Sequence, residues 1–282
     1  MERPLNVACL QTRPMPDFDT ALVEAVLLAK EAVKQGAEFI ALPEYCGGLK
    51  TDGGAITPPF SSEDKHPVLL GLQDFAKANR VVMLIGSVAT PGPDQKIRNR
   101  SFLIDKQGAI AGVYDKIHMF DIQLSDTEVY RESARVSAGD TAVVTDMGFA
   151  NVGQTVCYDI RFPELYRQLA KNGAEILATP AAFTKKTGQA HWHVLNRARA
   201  IENGAFVIAP CAIGPIDGGG ECYGHSLIIN PWGEIVAQGS DRPGVVQATI
   251  DLAEVAAARA KIPSLMHDRP FVIQTDLTVD VA

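Results

Sequence analysis

The chain has 282 residues, of which 46% are hydrophobic and 21% are charged, so it can bury a substantial core in one large domain or two small ones. With 26 basic residues against 33 acidic ones, its formal net charge is −7. This balance excludes the broad basic surface that a nucleic-acid-binding protein or a protein of anionic membranes uses.

The five cysteines are an odd number, widely spaced and without a Cys-x-x-Cys pair, which favours a reducing compartment over a disulfide framework. The first residues lack the apolar core of a signal peptide. No apolar run approaches the roughly 20 residues that are needed to cross a bilayer. We therefore expect a cytoplasmic protein with neither a nucleic-acid nor a membrane partner.

The first elements of the chain alternate between strand and helix. A strand is predicted over Leu5 to Leu10, followed by an amphipathic helix that Asp19 caps and Gly36 ends. Phe39 to Pro43 is a nearly all-apolar run, as expected for a strand that is covered on both faces. Glu44 is the first polar residue after this strand.

A long connection follows the second strand. Residues 45 to 65 are rich in glycine and proline, which predicts a functional loop within a compact fold rather than a linker between domains. A helix is predicted from Pro67, and a strand over Val81 to Val88 follows it. Ser101 to Asp105 and Ala109 to Tyr114 then form a predicted hairpin.

The second half of the chain repeats this order of elements. It contains a strand up to Cys157, a helix from Pro163, a strand over Ile176 to Thr179, a helix over Gln189 to Asn203, a strand over Ala205 to Cys211 and a hairpin around Pro231-Trp232-Gly233. The letters agree as well, since residues 36–43 align with 173–180 at an offset of 137, and 101–110 with 226–235 at an offset of 125. An insertion in the first half, within the long loop, would explain the difference between the two offsets.

Two similar β-α-β-α-β-hairpin halves predict an α/β fold in which two sheets pack face to face with helices outside, a four-layer α-β-β-α sandwich. A last strand over Val245 to Ile250 and an alanine-rich helix precede a tail from about 263 to 282. We expect residues 1–282 to form a single domain.

Three reactive side chains stand where apolar runs end: Glu44, Lys116 and Cys157. A lone cysteine is most often a small buried hydrophobe. Cys157, however, lies at a corner between a β-branched segment and Pro163, a residue suited to the first turn of a helix. A thiol at such a corner can meet a substrate, as catalytic nucleophiles do.

The segments around these residues, Leu42 to Tyr45, Tyr114 to His118 and Val156 to Glu164, resemble the Glu, Lys and Cys motifs of the nitrilase superfamily of carbon–nitrogen hydrolases. The resemblance extends through Pro180 to Thr184, Ala190 to Trp192 and Gly224 to Ser226, and so covers nearly the whole chain. It implies the same sandwich fold, a small-molecule amide substrate, no cofactor and a homodimer or higher homo-oligomer.

The chemistry of amide hydrolysis assigns a role to each motif residue. Cys157 needs a base, which Glu44 supplies, and attack on the amide carbon then gives a thioester with release of ammonia. Lys116 and the backbone N–H of Tyr158 would hold the oxyanion. Glu132 resembles a second family glutamate that positions the lysine or the substrate, although it could instead be a surface carboxylate.

Substrate choice is less well determined by the sequence. Arg161 could bind a substrate carboxylate, or could fix the corner through Asp159 or Glu164, and Thr184 is a weaker pocket candidate. The segment from Pro180 to Thr184 resembles the branch that hydrolyses deaminated glutathione. An ω-amidase acting on α-ketoglutaramate and an N-carbamoyl amino acid amidohydrolase are the alternatives, and an inactive binding scaffold is the non-enzyme alternative. Tyr158-Asp159 disfavours nitrile hydrolysis.

Metal and phosphate sites are not predicted. His191 and His193 are two residues apart, so on a helix they face different ways. Cys222 and His225 would make only half of a metal site. The glycine run 218–220 precedes no helix and predicts a flexible turn rather than a phosphate cradle.

Overall fold

The computed structural model describes residues 1–126 and 128–274. Buried apolar runs form its central strands, and amphipathic segments form its helices. The strands are β1 (Pro4–Gln11), β2 (Phe39–Ala41), β3 (Thr51–Asp52), β4 (Ala55–Ile56), β5 (Val82–Pro91), β6 (Ile97–Ile104), β7 (Ile110–Asp115), β8 (Asp121–Gln123), β9 (Val129–Arg131), β10 (Val143–Asp146), β11 (Asn151–Gln154), β12 (Ile176–Ala178), β13 (Phe206–Ala209), β14 (Ile213–Pro215), β15 (Glu221–Tyr223), β16 (Leu227–Ile229), β17 (Ile235–Gln238) and β18 (Gly244–Asp251). The helices are α1 (Phe18–Lys34), α2 (Pro67–Asn79), α3 (Pro163–Lys171), α4 (Lys185–Asn203) and α5 (Ala253–Lys261). Short 3-10 helices cover Glu63–Lys65, Glu132–Ala134, Cys157–Arg161 and Ser264–Met266.

Two six-stranded sheets carry the fold, with strand orders β18-β1-β2-β5-β6-β7 and β10-β11-β12-β13-β16-β17. In each sheet the three strands joined by helices are parallel and the flanking strands are antiparallel. The predicted β-α-β-α-β-hairpin order of each half is therefore confirmed. The sequence did not predict that β18 would pair with β1 along its whole length.

Apolar side chains fill three layers between four layers of secondary structure. Phe39 and Leu84 of the first sheet belong to the same buried cluster as Val152 and Phe206 of the second. A second cluster joins α1 and α2 to the outer face of the first sheet, and a third joins α3 and α4 to the second sheet. Each apolar face is thus covered, and the predicted α-β-β-α sandwich is confirmed.

Two predicted helix starts are wrong by a few residues. The cap of α1 is Asp17, whose carboxylate accepts a hydrogen bond from the Thr20 N–H at 2.9 Å, and Asp19 lies in the first turn. Helix α4 begins at Lys185 rather than Gln189. Both α2 and α3 begin at a proline, as predicted.

The internal repeat is visible in the strand registers. Ala41 of β2 pairs with Leu84 in the first half, and Ala178 of β12 pairs with Ile208 in the second. The connection between the paired residues is longer in the first half, where the loop 45–65 contains the β3–β4 hairpin. The inferred insertion is therefore found where the glycine-rich and proline-rich loop placed it.

The predicted tail from about 263 begins with a 3-10 helix over Ser264–Met266, and its residues 275–282 lie outside the described residues. Arg167 of α3 donates a hydrogen bond to the Ser264 carbonyl oxygen at 2.7 Å. No helix in the described parts of the chain combines the length and apolar character needed to span a membrane.

Candidate active site

The three motif side chains follow strand ends that meet at one edge of the two sheets. Glu44 lies after β2, Lys116 after β7 and Cys157 after β11. All three line one cavity of about 290 Å³, and each is nearly inaccessible to solvent. The structure thus brings together residues that are 113 positions apart in the sequence at their extremes, 44 and 157.

An ion-pair cluster occupies the floor of this cavity. The Lys116 Nζ atom lies 2.9 Å from Glu44 Oε1 and 2.8 Å from Glu132 Oε2, and the three side chains are between 2% and 5% exposed. Buried charges are tolerated when they are paired and hydrogen-bonded. The cluster holds two carboxylates and one ammonium group, so the charges do not cancel within it.

Glu132 is buried, so the interpretation of this residue as a surface carboxylate is wrong. Its Oε2 atom accepts a hydrogen bond from the Phe120 N–H at 2.7 Å, and its Oε1 atom accepts one from the Tyr45 hydroxyl at 3.4 Å. The 3-10 helix that begins at Glu132 sets this orientation. Glu132 therefore holds Lys116 as a second carboxylate partner beside Glu44.

The Glu44 carboxylate is held by groups from both halves of the fold. Its Oε2 atom accepts from the Ala182 N–H at 2.9 Å, and its Oε1 atom accepts from the Asn99 side-chain amide at 2.8 Å as well as from Lys116. Neither Asn99 nor Ala182 is among the site residues predicted from the sequence. Their contacts depend on long-range strand pairing, which local patterns do not encode.

The protonation states follow from burial and neighbouring charge. Burial raises the pKa of Glu44, but the Lys116 ammonium and the hydrogen bond from Ala182 outweigh it, so this pKa is lowered. Burial lowers the pKa of Lys116, yet the charges of Glu132 and Glu44 hold it well above its usual value. Glu44 is thus a carboxylate and Lys116 an ammonium at neutral pH.

Cys157 sits on a strained corner. Its φ is 50°, in the left-handed region that non-glycine residues seldom adopt, and its N–H donates to the Pro180 carbonyl oxygen at 2.8 Å. Burial and the Glu44 charge raise the pKa of the thiol well above its usual value, while Lys116 lowers it. The resting group is therefore a thiol beside a carboxylate, a balance that the sequence left open.

A buried carboxylate ties this corner to the lysine segment. Asp159, two residues after Cys157, accepts hydrogen bonds from the Tyr114 hydroxyl at 2.7 Å and from the His118 N–H at 3.0 Å. It also accepts from the Val156 N–H at 2.8 Å. Tyr114 and His118 flank Lys116 in sequence, so Asp159 fixes the cysteine corner to the residues around the lysine.

Tyr158 and Thr184 line the same cavity. The Tyr158 ring packs edge-on against Phe120, with 5.2 Å between the ring centres. The Thr184 hydroxyl lies 2.7 Å from that of Thr187, so both hydroxyls are engaged with each other at the wall. Both predicted residues line the cavity that Cys157 lines, and their roles toward a substrate stay predictions.

Arg161 is not among the residues that line the cavity. Its guanidinium lies 5.7 Å from the ring centres of Tyr158 and Phe183 and 3.2 Å from His191 Nδ1. The corner is held through Asp159 by other residues, as described above, rather than by an ion pair with Arg161. Direct binding of a substrate carboxylate by Arg161 stays a prediction.

Two hairpins and a glycine turn wall the cavity. The β3–β4 and β8–β9 hairpins contribute residues to its lining, together with the turn at residues 218–220. A Cβ atom on Gly218 would lie 1.7 Å from the Thr51 carbonyl oxygen, and the Thr51 hydroxyl donates to Gly219 O at 2.6 Å. The turn therefore packs directly onto β3, which only glycine permits.

The side chains considered for a metal site lie elsewhere. Cys222 is buried, and the His193 and His225 rings are 5.9 Å apart between centres. Among residues 1–126 and 128–274, no three His, Cys, Asp or Glu side chains are arranged to hold a metal ion.

The chain is similar in sequence to a known enzyme family and to several of its members. The family model for carbon-nitrogen hydrolases matches residues 6–260. The chain is 39% identical to the deaminated glutathione amidase of Synechocystis sp. over 96% of this chain and 100% of that protein. It is 36% identical to the human deaminated glutathione amidase over 95% of this chain and 83% of that protein.

The fold also matches a solved structure, that of the C. elegans NitFhit protein. The two superpose with a TM-score of 0.86 at 29% sequence identity, over 94% of this chain. The match spans 65% of the longer NitFhit chain.

Proposed function

The chain belongs to the carbon-nitrogen hydrolase family, and from this premise we propose that Cys157, Glu44 and Lys116 carry out its hydrolytic reaction on a small amide. One observation carries the assignment: the Lys116 ammonium lies 2.9 Å from the Glu44 carboxylate in the cavity that Cys157 lines. A base, a cation and a nucleophile within one cavity are the groups that acyl transfer requires.

The first step forms the covalent bond. Glu44 accepts the proton of the Cys157 thiol as the sulfur attacks the amide carbon, because a thiol with a raised pKa is a poor nucleophile until it loses that proton. The carbonyl oxygen becomes an oxyanion, which Lys116 and the backbone N–H of Tyr158 stabilise. One such donor contributes on the order of 10²–10³ in rate.

The charge of the site stays constant through this step. Neutralising Glu44 frees Lys116 from one of its two carboxylate partners at the moment when the substrate oxygen becomes negative. Glu132 keeps the ammonium in place meanwhile, so it is a positioning residue in the proposed mechanism. The protonated Glu44 then transfers its proton to the leaving nitrogen, and the C–N bond breaks.

Water completes the cycle. Glu44, again a carboxylate, removes a proton from water as the water oxygen attacks the thioester carbon. The second oxyanion forms at the same position and is stabilised by the same donors. Collapse of this intermediate breaks the C–S bond, releases the carboxylic acid and returns the proton to Cys157.

Deaminated glutathione is the proposed substrate, since relatives at 36–39% identity over nearly the whole chain carry that activity in their names. Its γ-amide joins an α-keto acid to cysteinylglycine, so hydrolysis releases the dipeptide amine. The predicted release of ammonia applies to a primary amide such as α-ketoglutaramate. An ω-amidase and an N-carbamoyl amino acid amidohydrolase remain the alternatives.

A substrate panel tests the proposal. The purified protein and its Cys157→Ala variant are incubated with deaminated glutathione, α-ketoglutaramate and an N-carbamoyl amino acid, and the released acid and amine are quantified. We expect hydrolysis of deaminated glutathione by the native protein and a loss of at least about 10⁴-fold in the variant. Cys9→Ala, which alters a buried cysteine between the sheets, is the matched control and should retain activity. Equal activity of the Cys157→Ala variant would reject the thiol mechanism.

We also propose that residues 1–282 act as a single domain and that the protein is a cytoplasmic homodimer or higher homo-oligomer. All five cysteines are unpaired, as a reducing compartment favours. Val194 and Ile201 of α4 are 68% and 53% exposed, which suits an apolar contact between copies. Light scattering measures the solution mass, and a monomer at micromolar concentration would contradict the assembly.

A further inference from the structure

A buried amide contacts both glutamates of the site. Asn99 of β6 is 1% exposed, and its Nδ2 atom lies 2.8 Å from Glu44 Oε1 and 3.3 Å from Glu132 Oε1. Lys116 Nζ lies 2.9 Å and 3.0 Å from the same two oxygens. Asn99 and Lys116 therefore bridge one pair of carboxylate oxygens, the first as a neutral donor and the second as a cation.

We propose that Asn99 is a positioning residue that fixes Glu44 Oε1, so that the proton of Cys157 passes to Oε2. This inference rests on the proposed function of Glu44 as the base. Glu44 Oε1 accepts from two donors, whereas Oε2 accepts from the Ala182 N–H. A carboxylate anchored at one oxygen presents the other in a fixed direction, which proton transfer to and from a reacting group requires.

A neutral donor suits this position better than a second cation. Another full positive charge beside Glu44 would further favour its ionised form and weaken it as a base. The amide instead fixes the oxygen through a hydrogen bond and carries no net charge. The Asn99 carbonyl oxygen of the main chain accepts from the Lys116 N–H at 3.0 Å, so the same residue also aligns the lysine through its backbone.

The two carboxylate contacts set the orientation of the Asn99 amide. Its two carboxylate neighbours require that the amide present its NH₂ group, because the reverse orientation would set three oxygens against each other. The opposite atom, Oδ1, is buried and has no hydrogen-bond partner in the described part of the chain.

Two variants and one control separate positioning from a purely structural role. Asn99→Leu removes the donor and keeps four side-chain heavy atoms, and Asn99→Ser removes the amide and leaves a shorter hydroxyl. Ser101→Ala is the matched control: Ser101 is fully buried on the same face of β6, and its hydroxyl bonds Ile85 O and Gln154 rather than either glutamate. Each protein is measured for kcat, KM and thermal midpoint on the hydrolysed amide.

We expect both Asn99 variants to lose on the order of 10- to 100-fold in kcat, with KM changed less than about threefold. The acid limb of their kcat/KM profile should move to higher pH, because a donor that favours ionised Glu44 is lost. Ser101→Ala should lower the thermal midpoint and leave kcat within about twofold.

The inference on Asn99 is overturned if Asn99→Leu and Asn99→Ser keep native kcat, or if they lose it only in proportion to a loss of folded protein. Failure of the positioning role can be distinguished from failure of the proposed function. An active Cys157→Ala variant rejects the thiol mechanism, whereas an inactive Cys157→Ala with fully active Asn99 variants rejects only the positioning role.

Discussion

The two halves of the sandwich share a scaffold but divide the chemistry between them. After β2 the first half places Glu44, whereas the aligned position after β12 in the second half is the buried Ala181. The first half supplies the carboxylates and the ammonium, and the second supplies the thiol and the Ala182 N–H. The repeated fold thus provides equivalent positions, and the residues placed there decide what each half contributes.

Because of this division, the geometry of the site depends on how the two halves pack against each other. The first half pairs its own charged side chains, with Lys116 bonded to both Glu44 and Glu132. Hydrogen bonds that cross to the other half include those from Ala182 to Glu44 and from Tyr114 to Asp159. Substitutions in the charge cluster and at the crossing contacts should therefore have different signatures.

Removing the ammonium should have the largest effect. In Lys116→Met, two buried carboxylates face each other without a cation, which costs on the order of 3–5 kcal/mol of stability. The oxyanion also loses a donor, so kcat should fall by about 10³-fold or more. Chemical denaturation and amide hydrolysis measure the two effects.

A second substitution separates the loss of stability from the loss of activity. Adding Glu132→Gln to Lys116→Met removes one of the two facing carboxylates and should recover most of the lost stability while leaving the activity low. Recovery of activity together with stability would mean that Lys116 serves the fold alone.

Removing the Glu44 charge should change the titration of the thiol. Burial comes first among the causes that raise the pKa of Cys157, and the Glu44 charge adds to it. In Glu44→Gln the second cause disappears while Lys116 remains, so thiolate should form at lower pH than in the native protein. Thiolate absorbance, taken as a difference from the Cys157→Ala variant, measures this shift. A shift to higher pH would contradict the assigned electrostatics.

Breaking a contact between the halves should have a moderate effect. Tyr114→Phe removes one donor from the buried Asp159 and should cost about 1–3 kcal/mol of stability. Because this contact aligns the cysteine corner with the lysine segment, kcat should also fall, by about tenfold.

Tyr166→Phe is the matched control for Tyr114→Phe. Its hydroxyl is equally buried but bonds Thr155 and Thr179, both within the second half. Thermal unfolding should show a similar loss of stability with unchanged kcat. Equal losses of kcat in both variants would mean that the crossing contact has no special role.

The smallest effect is expected at the cavity rim. Lys185 and Glu221 form a pair at 2.8 Å, with side chains 51% and 45% exposed, so solvent screens their attraction. Lys185→Ala should change the free energy of unfolding by less than about 1 kcal/mol. A larger loss in urea denaturation would show that this pair fixes the start of α4.

Local pattern was sufficient for the strand ends and for the motif residues that follow them. The apolar run before Glu44 and the corner at Cys157 are each contained in a few adjacent letters. The contacts of Asn99 and Asp159 are not, because each depends on strands or loops brought together from distant positions. For the same reason the sequence located the helices of each half but not the partner of β1.

The pairing of β1 with β18 has a consequence for biosynthesis. Gln11 pairs with Gly244 and Pro4 with Asp251. Strand β1, which is translated early, therefore cannot form this pairing until β18, one of the last strands, has been translated. On the ribosome, the first sheet has an open edge next to β1 until residues 244–251 have left the exit tunnel. An open strand edge invites association with other chains. Nascent chains stalled before this point should therefore be the forms that most need a chaperone.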